Sequence, residues 1–318
     1  MGLNKIVTAK LLFKSNKYSR ILIPLLLIGS MILIFGILKP AYVSLGNMLN
    51  LLTEFSMVGL VSIGMAIVLS VGQVDLSIGH IAGISAVVTS LFLVKGVSTF
   101  LSILLGLGIS TVFGILNGFI VAYLGVSSFI GSLGTMFILI GVRYGLTGGA
   151  TIMCLPSSYT ALGKMPYPLI FLTGAFLFAF FLMDTTVLGR RLYLIGENLD
   201  ASELCGVRIR QETFIVFIFS AVLGAFAGEI LAARQGLTNV DIGDRFMMEA
   251  FIGAYLGRVL SGERLVALGA LFGAALLVFL IGGLTILGVD PSWLNFIKGI
   301  VFLAALISKI ITKRSDRE

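Results

Sequence analysis

Residues 55–94 read FSMVGLVSIGMAIVLSVGQVDLSIGHIAGISAVVTSLFLV, two long apolar runs joined by GQVDLSIG at Gly72–Gly79. Within this stretch Asp75 is the one formally charged side chain, with His80 counted as neutral. Each run approaches the ~20 apolar residues that cross a bilayer, so the stretch reads as two membrane helices with a polar joint. An ionisable group in such a place is costly and faces protein or a water-filled cavity. Alternatively, Asp75 or Ser77 caps the helix that follows, where the positive end of the helix dipole favours a carboxylate. The two roles can coexist.

The rest of the chain has the same character. Of 318 residues 58% are hydrophobic and 12% charged, 39 are glycine, and the mean hydropathy is +1.10. A soluble domain carries about a quarter charged residues; the expected fold class is an all-α polytopic membrane protein. Spans are expected near 21–38, 54–71, 77–94, 97–122, 127–146, 167–183, 213–231, 246–260, 265–283 and 292–311. The weakest are 246–260, which holds Glu249 and Arg258, and 265–283, so eight spans is the alternative to ten. Ten spans use roughly 200 residues. What remains is too little for an appended globular domain, so any large catalytic module must belong to a partner.

Basic residues set the orientation. Lys5, Lys10, Lys14, Lys17 and Arg20 precede a first run too long for a signal-peptide core, so it is expected to be retained as a helix. With that end inside, ten spans also place inside Arg190, Arg191, Arg208, Arg210, Arg258, Arg264, Lys309, Lys313, Arg314 and Arg317. Lys39, Lys95, Arg143, Lys164, Arg234 and Arg245 fall outside or near the outer face, and Lys298 lies within a span. The excess inside obeys the positive-inside rule. Trp293 fits an interfacial anchor at the outer start of the last span. Cys154 and Cys205 fall on opposite sides, which excludes a disulfide between them, and they lack metal-ligand spacing.

Small residues recur every fourth position at Gly106, Ser110, Gly114 and Gly118, at Ser220, Gly224, Gly228 and Ala232, and at Gly253, Gly257 and Ser261. Such stripes let helix backbones approach in lipid, where no hydrophobic drive exists between helices; pore lining is the other reading. The longest polar break is DTTVLGRRLYLIGENLDASELCGVRIRQET, Asp184–Thr213. In it Asn198 or Asp200 can cap a short helix that Gly206 ends in the left-handed conformation, which makes either a docking element or a solvated loop with an incidental turn. A single histidine excludes a histidine acid–base pair or metal cluster within the chain, and no GxxxxGK[ST] is present. Glu229 stands in an apolar stretch with Arg143 as a possible partner. Asn117, Thr135 and Asn295 suit interhelical hydrogen bonds or contact with a polar solute.

Taken together these motifs resemble the permease subunit of bacterial ABC importers for ribose and related monosaccharides, over most of the chain from about residue 50. GQVDLSIG is similar to that family's GGIDLSVG, and Gly189–Val207 (GRRLYLIGENLDASELCGV) to its GRxxYAIGGNxxAARLSGI. AGEILAARQG at Ala227–Gly236 is similar to AGxLLAAR. GGLTILGV at Gly282–Val289, followed by Trp293, Lys298 and Gly299, is similar to NGLNLLGV and its W…KG. Gln73, Glu197, Glu229 and the loosened LGRVLSGE at Leu256–Glu263 depart from the pattern, and bear on the solute more than on the class.

The resemblance implies an ABC importer permease fold of about ten helices in the bacterial inner membrane: a basic cytoplasmic segment 1–20, a transmembrane domain 21–311 with a cytoplasmic coupling loop 184–212, and a tail 312–318. It implies a second permease subunit in a homo- or heterodimer, cytoplasmic ATPase subunits that hold the ATP and Mg, and an extracytoplasmic solute-binding protein. The chain itself then carries no catalytic residue, cofactor or metal and moves a ribose-like sugar by alternating access. Asp75, Gln73, Ser77 and Asn117 are the expected pathway residues, and Ala201, Ser202, Glu203, Leu204 and Gly206 the expected ATPase contact. A permease for a nucleoside, a branched-chain amino acid or a signalling sugar is the alternative. A secondary carrier is the other, and several paired intramembrane charges would signal it. The orientation is directly testable: Glu203→Cys, in a chain lacking Cys154 and Cys205, is expected to resist an impermeant thiol reagent applied outside and to react once the membrane is opened. Labelling from outside overturns it.

Overall fold

The computed structural model describes residues 19–262 and 266–315, with side chains over 20–262 and 266–307. Lys5, Lys10, Lys14 and Lys17, Glu263 and Arg264, and the end of the tail with Arg317 lie outside the described residues, as do the side chains of Lys309, Lys313 and Arg314. Each expected span is a helix: α1 (Ser19–Leu38), α2 (Leu45–Ser70), α3 (Ile78–Val94), α4 (Thr99–Ala122) and α5 (Ser128–Thr147). A short α6 (Ser157–Thr160) precedes α7 (Tyr167–Phe180), and α8 (Val187–Glu197) and α9 (Leu199–Leu204) lead to α10 (Ile209–Gln235). The chain closes with α11 (Arg245–Ser261), α12 (Val266–Ile286) and α13 (Pro291–Ser315).

Among the described residues seven helices are long and apolar enough to cross a bilayer: α1, α2, α4, α5, α7 with its extension to Thr185, α10 and α12. α3 and the Pro291–Ile307 part of α13 are apolar but shorter. Thus 265–283, expected to be weak, is a full-length span, whereas α11 has 17 residues and keeps its charges. Two boundaries shift for identifiable reasons. α2 begins at Leu45 rather than near 54, because Ser44 caps it by accepting from the Asn47 amide. Glu54 lies inside the helix and is neutralised by Arg234 and Arg245. The polar break 184–212 is also more ordered than a loop. A π-helical turn at Phe181–Thr185 extends α7, and Thr186 then caps the amphipathic α8.

α2 is buried on all sides from Ser56 to Ser70, and α3 over most of its length. Around them pack α10, α11 and α12, while α1, α4, α5 and α7 turn leucine, isoleucine and phenylalanine outward. The small-residue stripes lie at the buried contacts. Gly114 backs onto Ala221 and Phe217, Gly228 onto the Ala82 carbonyl, and Gly257 onto the Gly269 carbonyl. Close packing is therefore their role rather than pore lining, as expected where lipid supplies no drive for helices to associate. The stretches 150–164 and 237–244, expected on one face, meet in a backbone bridge between Ile152 and Thr238, each amide bonding the other carbonyl at 2.8 Å. On the face opposite, Gly262 at the end of α11 lies beside Arg20 at the start of α1.

Gly257→Leu is expected to force α11 and α12 apart and to destabilise the fold by about 1–3 kcal/mol, the usual cost of overpacking. Gly108→Leu, on an open face of α4 with nothing within 4 Å, is expected to be neutral. Thermal melting of the two purified variants compares them directly.

Candidate functional site

α2 ends at Ser70, and Gly72, at φ +76°, turns the chain back. The chain then returns without helix to Ile78, where α3 begins beside the middle of α10: Gly64 of α2 meets both Ile78 and Ser220. Ser220 lies 11 residues into α10, about 16 Å along its axis at 1.5 Å per residue. Non-helical backbone at that depth must find partners within protein. The amides of Gly72 and Gln73 bond back to Leu69 and Val68. Beyond them α5 supplies hydroxyls: Ser128 accepts from the Val74 amide at 3.1 Å and Ser132 from the Leu76 amide at 3.0 Å.

Asp75 completes this accounting. One carboxylate oxygen accepts from the Ser77 amide at 3.0 Å and the Ser77 hydroxyl at 2.6 Å; the other accepts from the Ser220 hydroxyl of α10 at 2.9 Å. The Asn117 amide of α4 donates to the Ser77 oxygen at 2.7 Å, and Thr135 of α5 donates to the Asn117 oxygen at 2.6 Å. A single chain of hydrogen bonds thus joins α5, α4, the mouth of α3, the break and α10, and all its members are buried. Both sequence readings of Asp75 hold a part: it satisfies an amide at the start of α3, and it also reaches a second helix. Ser77 does not cap with its side chain. Gln73 is half-buried, and Asn295 stands exposed on α13.

Arg143, Glu249 and Lys298 are paired with opposite charges, a feature invisible along the chain. Arg143, expected near the outer face with Glu229 as a possible partner, is fully buried and does not meet Glu229. Its guanidinium donates to the Ile242 carbonyl at 3.0 Å and to Asp244 at 2.8 Å, with His80 Nδ1 also at 2.8 Å. Glu249 of α11 holds Lys298 of α13 at 2.7 Å. Glu229 instead faces three hydroxyls, from Ser85, Thr89 and Tyr159. The paired charges once reserved as a sign of a secondary carrier are present, and here they fasten helix to helix.

At the opposite end of the break, α9 has the geometry read from its sequence. Asn198, rather than Asp200, caps it by accepting from the Ala201 amide at 3.0 Å. Gly206 closes it at φ +76°, with the Val207 amide bonding back to Ser202 at 3.0 Å. Ser202 is buried as the anchor, while Ala201, Glu203, Leu204 and Gly206 are exposed, Leu204 to 90%. The preceding helix touches the end of α2 just before the helix break: Gly196 of α8 lies so close to the Ser70 carbonyl that a side chain there has no room.

A glycine-packed helical bundle with a buried helix break at its centre, and a short capped helix standing clear of it, is the architecture of a polytopic membrane permease. Residues 47–306 match the family described as the branched-chain amino acid transport system permease component, and the chain belongs to that family. It is 32% identical over 292 residues to the ribose import permease protein of Bacillus subtilis, covering 89% of this chain and 91% of that one. With the galactose/methyl galactoside import permease protein of Escherichia coli it shares 30% identity over 296 residues, 85% and 88% of the two chains. With the autoinducer 2 import system permease protein of Yersinia pseudotuberculosis it shares 30% over 292 residues, 89% and 82%. The chain is a permease subunit of the ABC importer class, a multi-pass inner-membrane transport component and not an enzyme.

Asp75→Asn keeps the shape of the side chain and the bonds from Ser77, but puts an NH2 group against Ser220. Stability is expected to fall by about 1.5–3 kcal/mol, the scale of one charge-assisted hydrogen bond, with membrane insertion intact and transport reduced more than stability. Melting of the purified chain and uptake in vesicles read the two effects; wild-type uptake reduces Asp75 to a cap.

Proposed function

We propose that this chain carries a small sugar of the ribose-like monosaccharide class into the cytoplasm. It acts as half of a permease dimer, fed by an extracytoplasmic solute-binding protein and driven by cytoplasmic ATPase subunits that hold the ATP and Mg. The observation that carries the reading is the packing of α9 on α8, which in turn abuts the last turn of α2 just before the helix break. A rigidly capped element with Leu204 almost fully exposed is suited to seat in a partner's groove, and α8 behind it abuts the last turn of α2. Similarity to import permeases whose names specify ribose and galactose supports the choice of solute.

In this reading the mechanism is alternating access, with partner binding shifting the balance between inward- and outward-open states. Asp75, Ser77 and Asn117 form the hinge of the pathway, and Gln73, half-buried beside them, is the member nearest to solute. The conformation described is closed at this point, since Asp75, Ser77 and Asn117 are fully buried. Opening would release polar groups already arranged around a carboxylate, the kind of lining a hydroxyl-rich solute can bond. A branched-chain amino acid, the solute in the family's description, or a signalling sugar is separated from this by direct competition for uptake.

Gly206→Val tests the coupling. The added side chain has open space around it, so only the positive φ opposes it, and β-branched residues are strongly disfavoured there. Normal insertion, weakened co-purification of the ATPase subunit and at least tenfold loss of monosaccharide uptake are expected. Uptake that persists without any ATPase and follows the proton gradient overturns the proposal.

A further inference from the structure

Glu229 sits about three-quarters of the way along α10, on its buried face, in a cluster made wholly of oxygen atoms. Its Oε1 lies 2.5 Å from the Ser85 hydroxyl and 2.7 Å from the Thr89 hydroxyl, both on α3. Its Oε2 lies 2.7 Å from the Tyr159 hydroxyl of α6, which is also 3.0 Å from the Glu229 main-chain carbonyl. Thr89 in turn is 3.1 Å from the Ser102 carbonyl of α4. Ser85, Thr89, Ser102 and Tyr159 are fully buried and Glu229 is 5% exposed.

Neither charge nor hydrogen count closes around an ionised carboxylate here. No cation reaches Glu229 among the described residues. Arg234, five residues along α10, is held by Glu54; Arg143, with His80, is held by Asp244. A lone carboxylate inside a membrane protein is costly unless a cation or water compensates it. The hydroxyls of Ser85, Thr89 and Tyr159 bring three protons to the four short contacts of Glu229 itself, because each hydroxyl donates once. If Tyr159 donates to the Glu229 carbonyl, its 2.7 Å contact with Oε2 requires a proton on that oxygen. A metal ion is a poor substitute, since the oxygens touch one another directly at hydrogen-bonding distances and leave no central space.

We propose that Glu229 is a proton-binding site: the carboxyl is protonated, and its O–H donates to Tyr159 while its carbonyl oxygen accepts from Ser85 and Thr89. A neutral carboxylic acid used as a donor in an apolar site is established chemistry. The bound proton completes a clip that holds α3 and the 157–163 hairpin against α10. Gly106 of α4 is pressed against the same cluster, where a side chain would strike Thr89 and Glu229.

Infrared difference spectroscopy of the purified full-length chain in lipid nanodiscs at neutral pH tests this independently of transport. Subtracting the Glu229→Gln spectrum from wild type is expected to leave one carbonyl band of a protonated carboxylic acid. A difference confined to carboxylate stretches overturns the proposal. If Glu229→Gln does not fold, Tyr159→Phe gives the same decision, because it removes the acceptor of the carboxyl proton along with the donor to the Glu229 main-chain carbonyl. A shifted carboxylic-acid band supports the proposal, and a change in carboxylate bands alone refutes it.

Discussion

A peptide amide within the hydrocarbon region has no water to bond, and this constraint governs the centre of the molecule. A continuous helix meets it locally, but Gly72–Ser77 is not helical, and the amides of Val74, Leu76 and Ser77 are satisfied by side chains. Ser128 and Ser132 on α5 and the carboxylate of Asp75 perform that task. The positions of α5 and α10 relative to the break are thereby fixed by hydrogen bonds rather than by apolar contact, which has little orienting power between helices in lipid. The break shortens α3 to 17 residues and brings the mouth of that helix to the level of Ser220, where a polar chain can cross the bundle.

The same economy extends to the charged side chains. Glu54, Asp244 and Glu249 each find arginine or lysine on another helix, so burial that is prohibitive for one ion becomes tolerable for a pair with good geometry. These pairs act where the small-residue stripes do not. Glycine contacts hold α10 to α3 and α4, and α11 to α12, whereas the ion pairs tie α13 to α11 and the 242–244 turn to α5. Glu229 is the exception, held by hydroxyls alone.

Much of this was legible in the chain because bilayer thickness dictates how long an apolar run must be. The helices fell where runs of that length did, and Asp75 and Gly206 were visible as an isolated charge and a stop signal. What escaped was whatever depends on the register between helices. Nothing along the chain showed that Arg234 and Arg245 would neutralise Glu54 within α2. α8 was hidden because an amphipathic helix bearing Arg190 and Arg191 reads as a polar loop. Arg143 and Glu229 matched in sign but not in place, since Arg143 is carried to the turn before α11 by its position on α5. Ser128, Ser132 and Ser220 gave no signal, because a serine in a membrane helix usually bonds its own backbone and nothing local shows where its oxygen is aimed.

The contact between Gly196 and the Ser70 carbonyl has a mechanical consequence. Bare backbone against bare backbone leaves no compliant side chain to absorb displacement, so α8 and the tip of α2 move as one piece. Arg258 of α11 grips the neighbouring Leu69 carbonyl at 3.0 Å, giving the same tip a second rigid attachment. Asp75 follows Ser70 by only five residues, with Gly72 the swivel between them. If α9 takes up a partner's push, as proposed above, the displacement passes through α8 to the tip of α2 and reaches a hydrogen-bonded carboxylate five residues further on.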